Sequence, residues 1–182
     1  MADEASVRPR GRAAVRSALL TSAVQHPPDS GPLSVRDIAR RAGVNHGQVQ
    51  HLFSGKDGLY RAILEHLAQG LDAALTDAPP EVLAESALST LLADRRFVRF
   101  LAGYLVEHPE GEIPQESFPV VQRLVAAEAD EAETSRAELA ALVAAGLGWA
   151  FFERWIRAAF ELSDEEAGQV GEAILAPRRN HP

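Results

Sequence analysis

The stretch SVRDIARRAGVNHGQVQHLFSGKDGL, Ser34 to Leu59, decides how this chain folds. Val35, Ile38, Ala39, Ala42, Val44, Val49, Leu52 and Phe53 recur at helical spacing on either side of Gly43, which predicts two short helices closing a miniature core. Ser34 with Asp37, and Asn45 with Gln48, each set a capping side chain three residues before a polar partner, the pattern that starts a helix. Gly43 falls where a helix ends in a left-handed residue that is easiest without a side chain. What remains outside the apolar set is polar and basic: Ser34, Arg36, Arg40, Arg41, Asn45, His46, Gln48, Gln50, His51 and Lys56. Two short helices with a glycine turn and a polar outer face make a helix-turn-helix, whose second helix is shaped for the DNA major groove.

Outward from this motif the chain reads as helix throughout, with no convincing strand. A first helix is expected from about Gly11 to His26, ended by Pro27-Pro28. Leu59, Ile63, Leu67, Leu71 and Leu75 recur every four residues and predict a long helix over about 56–76. Pro79-Pro80 marks the clearest break. Beyond it, helices are expected over 81–93, 94–108, 120–133 and 136–162, with a proline-rich loop at 109–119. Ser163 and Glu166 form a further capping box that opens a last helix to about Ala176. The fold class is therefore all-α: a three-helix DNA-binding head over 8–60 and a C-terminal helical bundle over 61–176. The helix 56–76 joins them, and 1–7 and 177–182 are expected to be flexible tails.

Composition sets bounds on partners. The 182 residues carry a net charge of −8 and no cysteine, which excludes disulfides and thiolate metal sites and fits a reducing cytoplasm. The charge is unevenly placed. Residues 1–61 hold nine basic and five acidic side chains, a net +4, whereas 62–182 hold nine and twenty-one, a net −12. A basic head on an acidic body suits a nucleic-acid partner, and the positive charge coincides with the helix-turn-helix. Seventeen of the eighteen basic residues are arginine, so arginine counts alone say little about phosphate binding. No run of apolar residues approaches the roughly 18 needed to span a bilayer, so no membrane partner is expected. No nucleophile sits near a base, and neither an H-E-x-x-H pattern nor a glycine-rich phosphate loop is present, so the chain does not read as an enzyme. His46 and His51, five residues apart without a third ligand, do not make a metal site, and no cofactor is expected.

Ser34-Val35, Ile38-Ala39, Ala42-Gly43-Val44-Asn45, Gly47, Val49, Phe53, Lys56 and Leu59 together resemble the tetracycline-repressor (TetR) family of bacterial transcriptional regulators, over about residues 12–65. One position departs: the family usually has tyrosine where this chain has Gln50, which can hydrogen-bond but cannot stack. The candidate DNA-binding residues are Ser34, Arg36, Asn45, His46, Gly47, Gln48, Gln50, His51 and Lys56. Ser34 caps a helix and can also hold a phosphate. Arg36, which matches a base-contacting position in some members, is either a guanine reader or a solvated arginine. Gln48 and Gln50 can pair with an adenine edge or a phosphate, Gly47 lets the backbone approach, and Asn45 is chiefly a cap. Lys56 matches the family's phosphate lysine. Arg8, Arg10 and Arg12 form a basic arm that either touches DNA or is solvated.

So short a reading helix needs a second copy, and two heads related by a twofold axis would read a palindrome with half-sites one or more turns, each roughly 34–36 Å, apart. Ala140, Val143, Ala144, Leu147 and Phe151, with Ala167, Val170 and Ile174, either form that homodimer interface, as the family usually does, or complete the monomer core. The resemblance also implies an unidentified small-molecule effector. Phe97, Phe100, Tyr104, Trp149, Phe152 and Trp155 either line its cavity or are plain core. Glu107, His108, Glu110 and Glu112 read as a solvated acidic turn. The expectation is a cytoplasmic, homodimeric, ligand-responsive repressor of an operator duplex. The alternative is a helical small-molecule- or protein-binding module that no longer reads DNA.

Overall fold

The computed structural model describes residues 9, 11–25, 34–111, 113–114, 116–129 and 136–179. Among these lie nine α-helices, one 3-10 turn and no strand: α1 Arg12–Val24, α2 Val35–Arg41, α3 His46–Phe53, α4 Lys56–Ala74, the 3-10 turn Pro80–Val82, α5 Leu83–Ala93, α6 Arg96–Glu107, α7 Pro119–Ala129, α8 Arg136–Ala159 and α9 Asp164–Arg179. Two compact units contain them, residues 1–67 with 100–116, and residues 68–99 with 117–182. The expected proline link at 27–32, Arg8 and Arg10 of the arm, and the tail 1–7 lie outside the described residues.

The first unit is built around Val15, Leu19, Leu20 and Ala23 of α1, Ile38 and Ala39 of α2, Val49 and Phe53 of α3, and Leu59 and Ile63 of α4. Leu19, Ile38, Val49, Leu59 and Ile63 are sealed from solvent, and burying each such side chain stabilises by about 1.5–3 kcal/mol. Among the described residues the one buried polar side chain, Ser22, donates its hydroxyl to the Ile38 carbonyl at 3.3 Å, so α1 and α2 are joined without an unsatisfied group. Phe100 from α6 packs on the same core.

The second unit has its own core of Leu75, Leu83, Ala87, Leu124 and Leu139, flanked by Leu71, Val120, Leu142 and Val143. Gly146 lets α8 approach α5 closely, since a Cβ there would stand 3.2 Å from Leu88 Cδ1. Arg123 donates to the Leu75 carbonyl at 2.8 Å and pairs with Asp72 at 3.2 Å, fixing α7 to the end of α4. Arg95, just before α6, forms an ion pair with Glu153 of α8. The predicted capping box holds: the Ser163 N–H donates to Glu166 Oε2 at 2.8 Å and the Glu166 N–H to Ser163 Oγ at 3.3 Å.

Two expectations change. The last helix does not stop at Ala176 but continues through Pro177 to Arg179, so the first part of the tail is helical. Proline there withholds only its own N–H from the backbone ladder, one bond near the end of the helix. And α8, whose charged residues concentrate toward its ends, is by length and composition apolar enough to cross a membrane, against the expectation that no segment is. Leu139, Gly146, Trp149 and Ala150 along one side of it are nevertheless buried in this unit.

Candidate nucleic-acid interface

The geometry of the helix-turn-helix follows from backbone bonds that the sequence dictates locally. Ser34 caps α2, its Oγ accepting from the Asp37 N–H at 3.4 Å. Asp37 turns its carboxylate to Arg40 at 2.7 Å instead of closing a reciprocal box. At the other end Gly43 adopts φ +66°, the Gly43 N–H reaches the Arg40 carbonyl at 3.2 Å, and the Val44 N–H reaches that of Ala39 at 3.0 Å. This paired arrangement satisfies the last carbonyls of α2 and sets the angle at which α3 begins. Asn45 and Gln48 then form a complete capping box: Gly47 N–H to Asn45 Oδ1 at 2.9 Å, and Asn45 N–H to Gln48 Oε1 at 3.0 Å.

Val49 and Phe53, one turn apart, pin α3 to the core, and Leu52 is half-buried beside them. His46, Gly47, Gln48, Gln50 and His51 all stand exposed on the remaining surface. Arg36 is exposed on α2 and has no partner among the described residues. Thus Arg36 of α2 and His46, Gly47, Gln48, Gln50 and His51 of α3 are all solvent-exposed residues of the helix-turn-helix. Ser34 is half-buried at its edge. Among the described residues no three metal-ligating side chains cluster.

The side chains are not all equally free. The capping box engages one lone pair of the Gln48 oxygen, leaving the other and the amide N–H groups for a ligand. Gln50 folds beside Gly55, where a Cβ would lie 3.2 Å from Gln50 Oε1. Gly55 itself has φ +107° and follows Ser54 at φ +60°, so the α3–α4 turn is left-handed at both residues. Lys56, the first residue of α4, has its Nζ 2.6 Å from Glu107 Oε2 and 5.5 Å from the Tyr60 ring centre. The Glu107 carboxylate, by accepting this hydrogen bond, pushes the Lys56 pKa above its usual value.

Three features of this surface escaped the sequence reading. Glu107 lies on Lys56, although they are 51 residues apart. Arg16 of α1 holds its guanidinium 5.7 Å from the Phe53 ring centre, placing a cation beside the end of α3. Tyr60 organises an aromatic group with Phe100, at 5.9 Å edge-on, and with Tyr104 at 6.3 Å. Arg16, at helical spacing from Arg12, was the one of these with any local signal.

Residues 31–63, which span α2 and α3, match the model of a family described as bacterial regulatory proteins, tetR family. The HTH-type transcriptional repressor Rv3405c of Mycobacterium tuberculosis is 35% identical over 157 residues, covering 83% of this chain and 80% of its own. The same identity and coverage hold for the HTH-type transcriptional regulator Mb3439c of Mycobacterium bovis. The chain belongs to the TetR family of transcriptional regulators. A shorter match, 48% over 42 residues, links it to the HTH-type transcriptional regulator BetI of Ectopseudomonas mendocina, across 23% of this chain and 21% of that protein. Like that family, the chain carries an N-terminal helix-turn-helix, here α2 and α3.

The residues assigned elsewhere in this TetR-family chain fall into different surroundings. Phe100 and Tyr104 belong to the first unit, in the group around Tyr60. In the second unit Trp149 is buried, Phe97 half-buried, and Phe152 and Trp155 exposed. Of the proposed dimer set, Ala140, Ala144 and Phe151 are exposed, Val143, Leu147, Val170 and Ile174 are half-buried, and Ala167 is buried. Ala140, Ala144, Leu147, Gly148, Phe151 and Trp155 recur at three-and-four spacing along one side of α8, opposite its buried side.

Proposed function

We propose that this TetR-family protein is a homodimeric repressor that binds a palindromic operator duplex through α2 and α3 and is released by a small-molecule effector. The observation that carries the DNA-binding reading is the exposed polar face of α3, held on a sealed core by Val49 and Phe53. Ser34 and Lys56 are assigned to phosphates, Arg36, Gln50 and the amide of Gln48 to base edges, and Gly47 to close backbone approach. His46 and His51 flank them, and Asn45 acts through the cap. The repressor reading is supported by the likeness to a transcriptional repressor over most of both chains.

Dimer formation is assigned to the uncovered apolar side of α8 together with α9, where Gly168 and Gly171 have open space around them. Trp155, first grouped with the effector aromatics, is assigned to this face because it is 68% exposed and aligned with Phe151. Phe97 and Trp149, which are covered, are kept as effector-lining residues. In this reading residues 8–60 are the DNA-binding head and 61–176 the effector and dimerisation part, and the protein works in the cytoplasm beside the chromosome.

Fluorescence anisotropy on labelled duplexes, over a salt series, tests the assignment. Lys56→Ala should weaken binding alike on operator and mixed-sequence DNA and lower the salt slope by about 0.9. Arg36→Ala should relax preference at one base pair by about 1–3 kcal/mol. Equal effects of both variants on every duplex would remove this division of roles. No binding by the wild type at low salt would favour a module that has lost DNA recognition.

A further inference from the structure

We propose that Glu107 competes with DNA for Lys56, so that the last turn of α6 sets how tightly the head holds a duplex. The inference rests on Lys56 being a phosphate contact, as assigned above. Lys56 and Glu107 face each other at 2.6 Å with side chains 44% and 42% exposed, so a phosphate oxygen can reach the same ammonium. A lysine ammonium has three donors, but a phosphate arriving there also meets the Glu107 carboxylate. Two anions sharing one cation repel, and binding must loosen the internal pair. The competing charge is thus already in place before DNA arrives.

Glu107 is not a casual surface neighbour. The residue after it, His108, stacks its ring on Tyr104 at 4.4 Å and donates its Nδ1 hydrogen to the Tyr104 carbonyl at 3.0 Å. His108 Nε2 lies 3.5 Å from Asp57 Oδ1, beside Lys56 in sequence. Tyr104 is buried, and faces Tyr60, which is also buried and carries Lys56 over its ring. Ring packing therefore holds the end of α6 against the start of α4, with a carboxylate fixed over the lysine. Surface ion pairs are individually weak, and the competition should be correspondingly modest and independent of base sequence.

Anisotropy with a labelled duplex of mixed sequence tests this, using the full chain and four variants. Glu107→Gln should tighten binding about two- to fivefold at low salt, and Lys56→Ala should weaken it. In the Lys56→Ala background Glu107→Gln should change nothing, and Glu110→Gln, which removes a nearby exposed acid outside the pair, should leave affinity unchanged. Circular dichroism melts show that each variant folds. If Lys56→Ala weakens binding but Glu107→Gln does not tighten it, the competition is wrong while the phosphate role of Lys56 stands. Weaker binding by Glu107→Gln would make Glu107 a residue that positions Lys56, and overturn the proposal. Equal tightening with and without Lys56 would reduce it to bulk charge. An unaltered affinity of Lys56→Ala removes both the phosphate contact and the competition built on it.

Discussion

The helices α3 and α8 each leave one side uncovered, and the two surfaces are chemical opposites. On α3 the exposed residues are His46, Gly47, Gln48, Gln50 and His51; on α8 they include Phe151, Phe152 and Trp155. An amide or imidazole is well solvated while it waits and exchanges water for a base edge or a phosphate at little cost. Aromatic rings left in water are held at a disadvantage until something dry covers them. The first surface suits a hydrated, charged duplex that comes and goes; the second suits a constant partner, of which a second copy of the chain is the simplest. Both are supported from behind by buried apolar stripes, so each should be removable without the other.

The largest expected effect separates the supports. Ile38→Ala, in the sealed core under α2 and α3, should destabilise the first unit by about 2–5 kcal/mol in a denaturant titration. DNA binding should be lost at temperatures where sedimentation still finds an unchanged molecular mass. Conversely, Trp155→Glu should weaken self-association by about 2 kcal/mol, or some thirtyfold, with helicity intact, because the ring is 68% exposed in the isolated chain. Palindrome binding should fall with it, whereas weak binding to mixed-sequence DNA persists. A variant whose mass is unchanged would detach the α8 surface from dimer formation.

Smaller effects sharpen the contrast. Asn45→Ala removes the cap that starts α3 and should cost about 1 kcal/mol of stability, read in a thermal melt. It should also free the Gln48 oxygen, whose bond to the Asn45 N–H depends on the same turn. The smallest effect lies in the second unit and in acid. The Arg96 guanidinium and N–H hold the Asp94 carboxyl below the usual aspartate range, although the group is largely solvated. A carboxylate with a lowered folded-state pKa stabilises above its unfolded value, about 3.9, and that stabilisation fades as pH falls below it. Asp94→Asn should therefore lower the melting temperature slightly at neutral pH, flatten its fall between about pH 4 and pH 2, and match the wild type in acid.

How much of this was legible in the chain depended on sequence distance. The Asn45–Gln48 and Ser163–Glu166 boxes and the Gly43 turn are all closed within a few residues, so residue types and spacing suffice to find them. Periodicity also located the apolar sides of α3 and α4. It could not say what covers an apolar side: Phe100 and Tyr104 have the same spacing whether they line a cavity or stack beside Tyr60. Lys56 was legible as a cation at a helix start, yet its partner is 51 residues away, at the end of α6, where composition shows only an acidic stretch. Likewise nothing local distinguished Trp155 from Trp149, though one is exposed and the other buried. Which side of a long apolar helix meets its own unit is decided by tertiary packing.

The central claim is that the outer side of α3 meets the duplex. Replacing His46, and separately Gln122 of α7, with a photo-crosslinking benzoylphenylalanine tests it in the full chain. Irradiation with bound DNA should give a covalent adduct from position 46, competed away by salt, and none from position 122. Adducts in equal yield from both positions, or from 122 alone, would contradict the account.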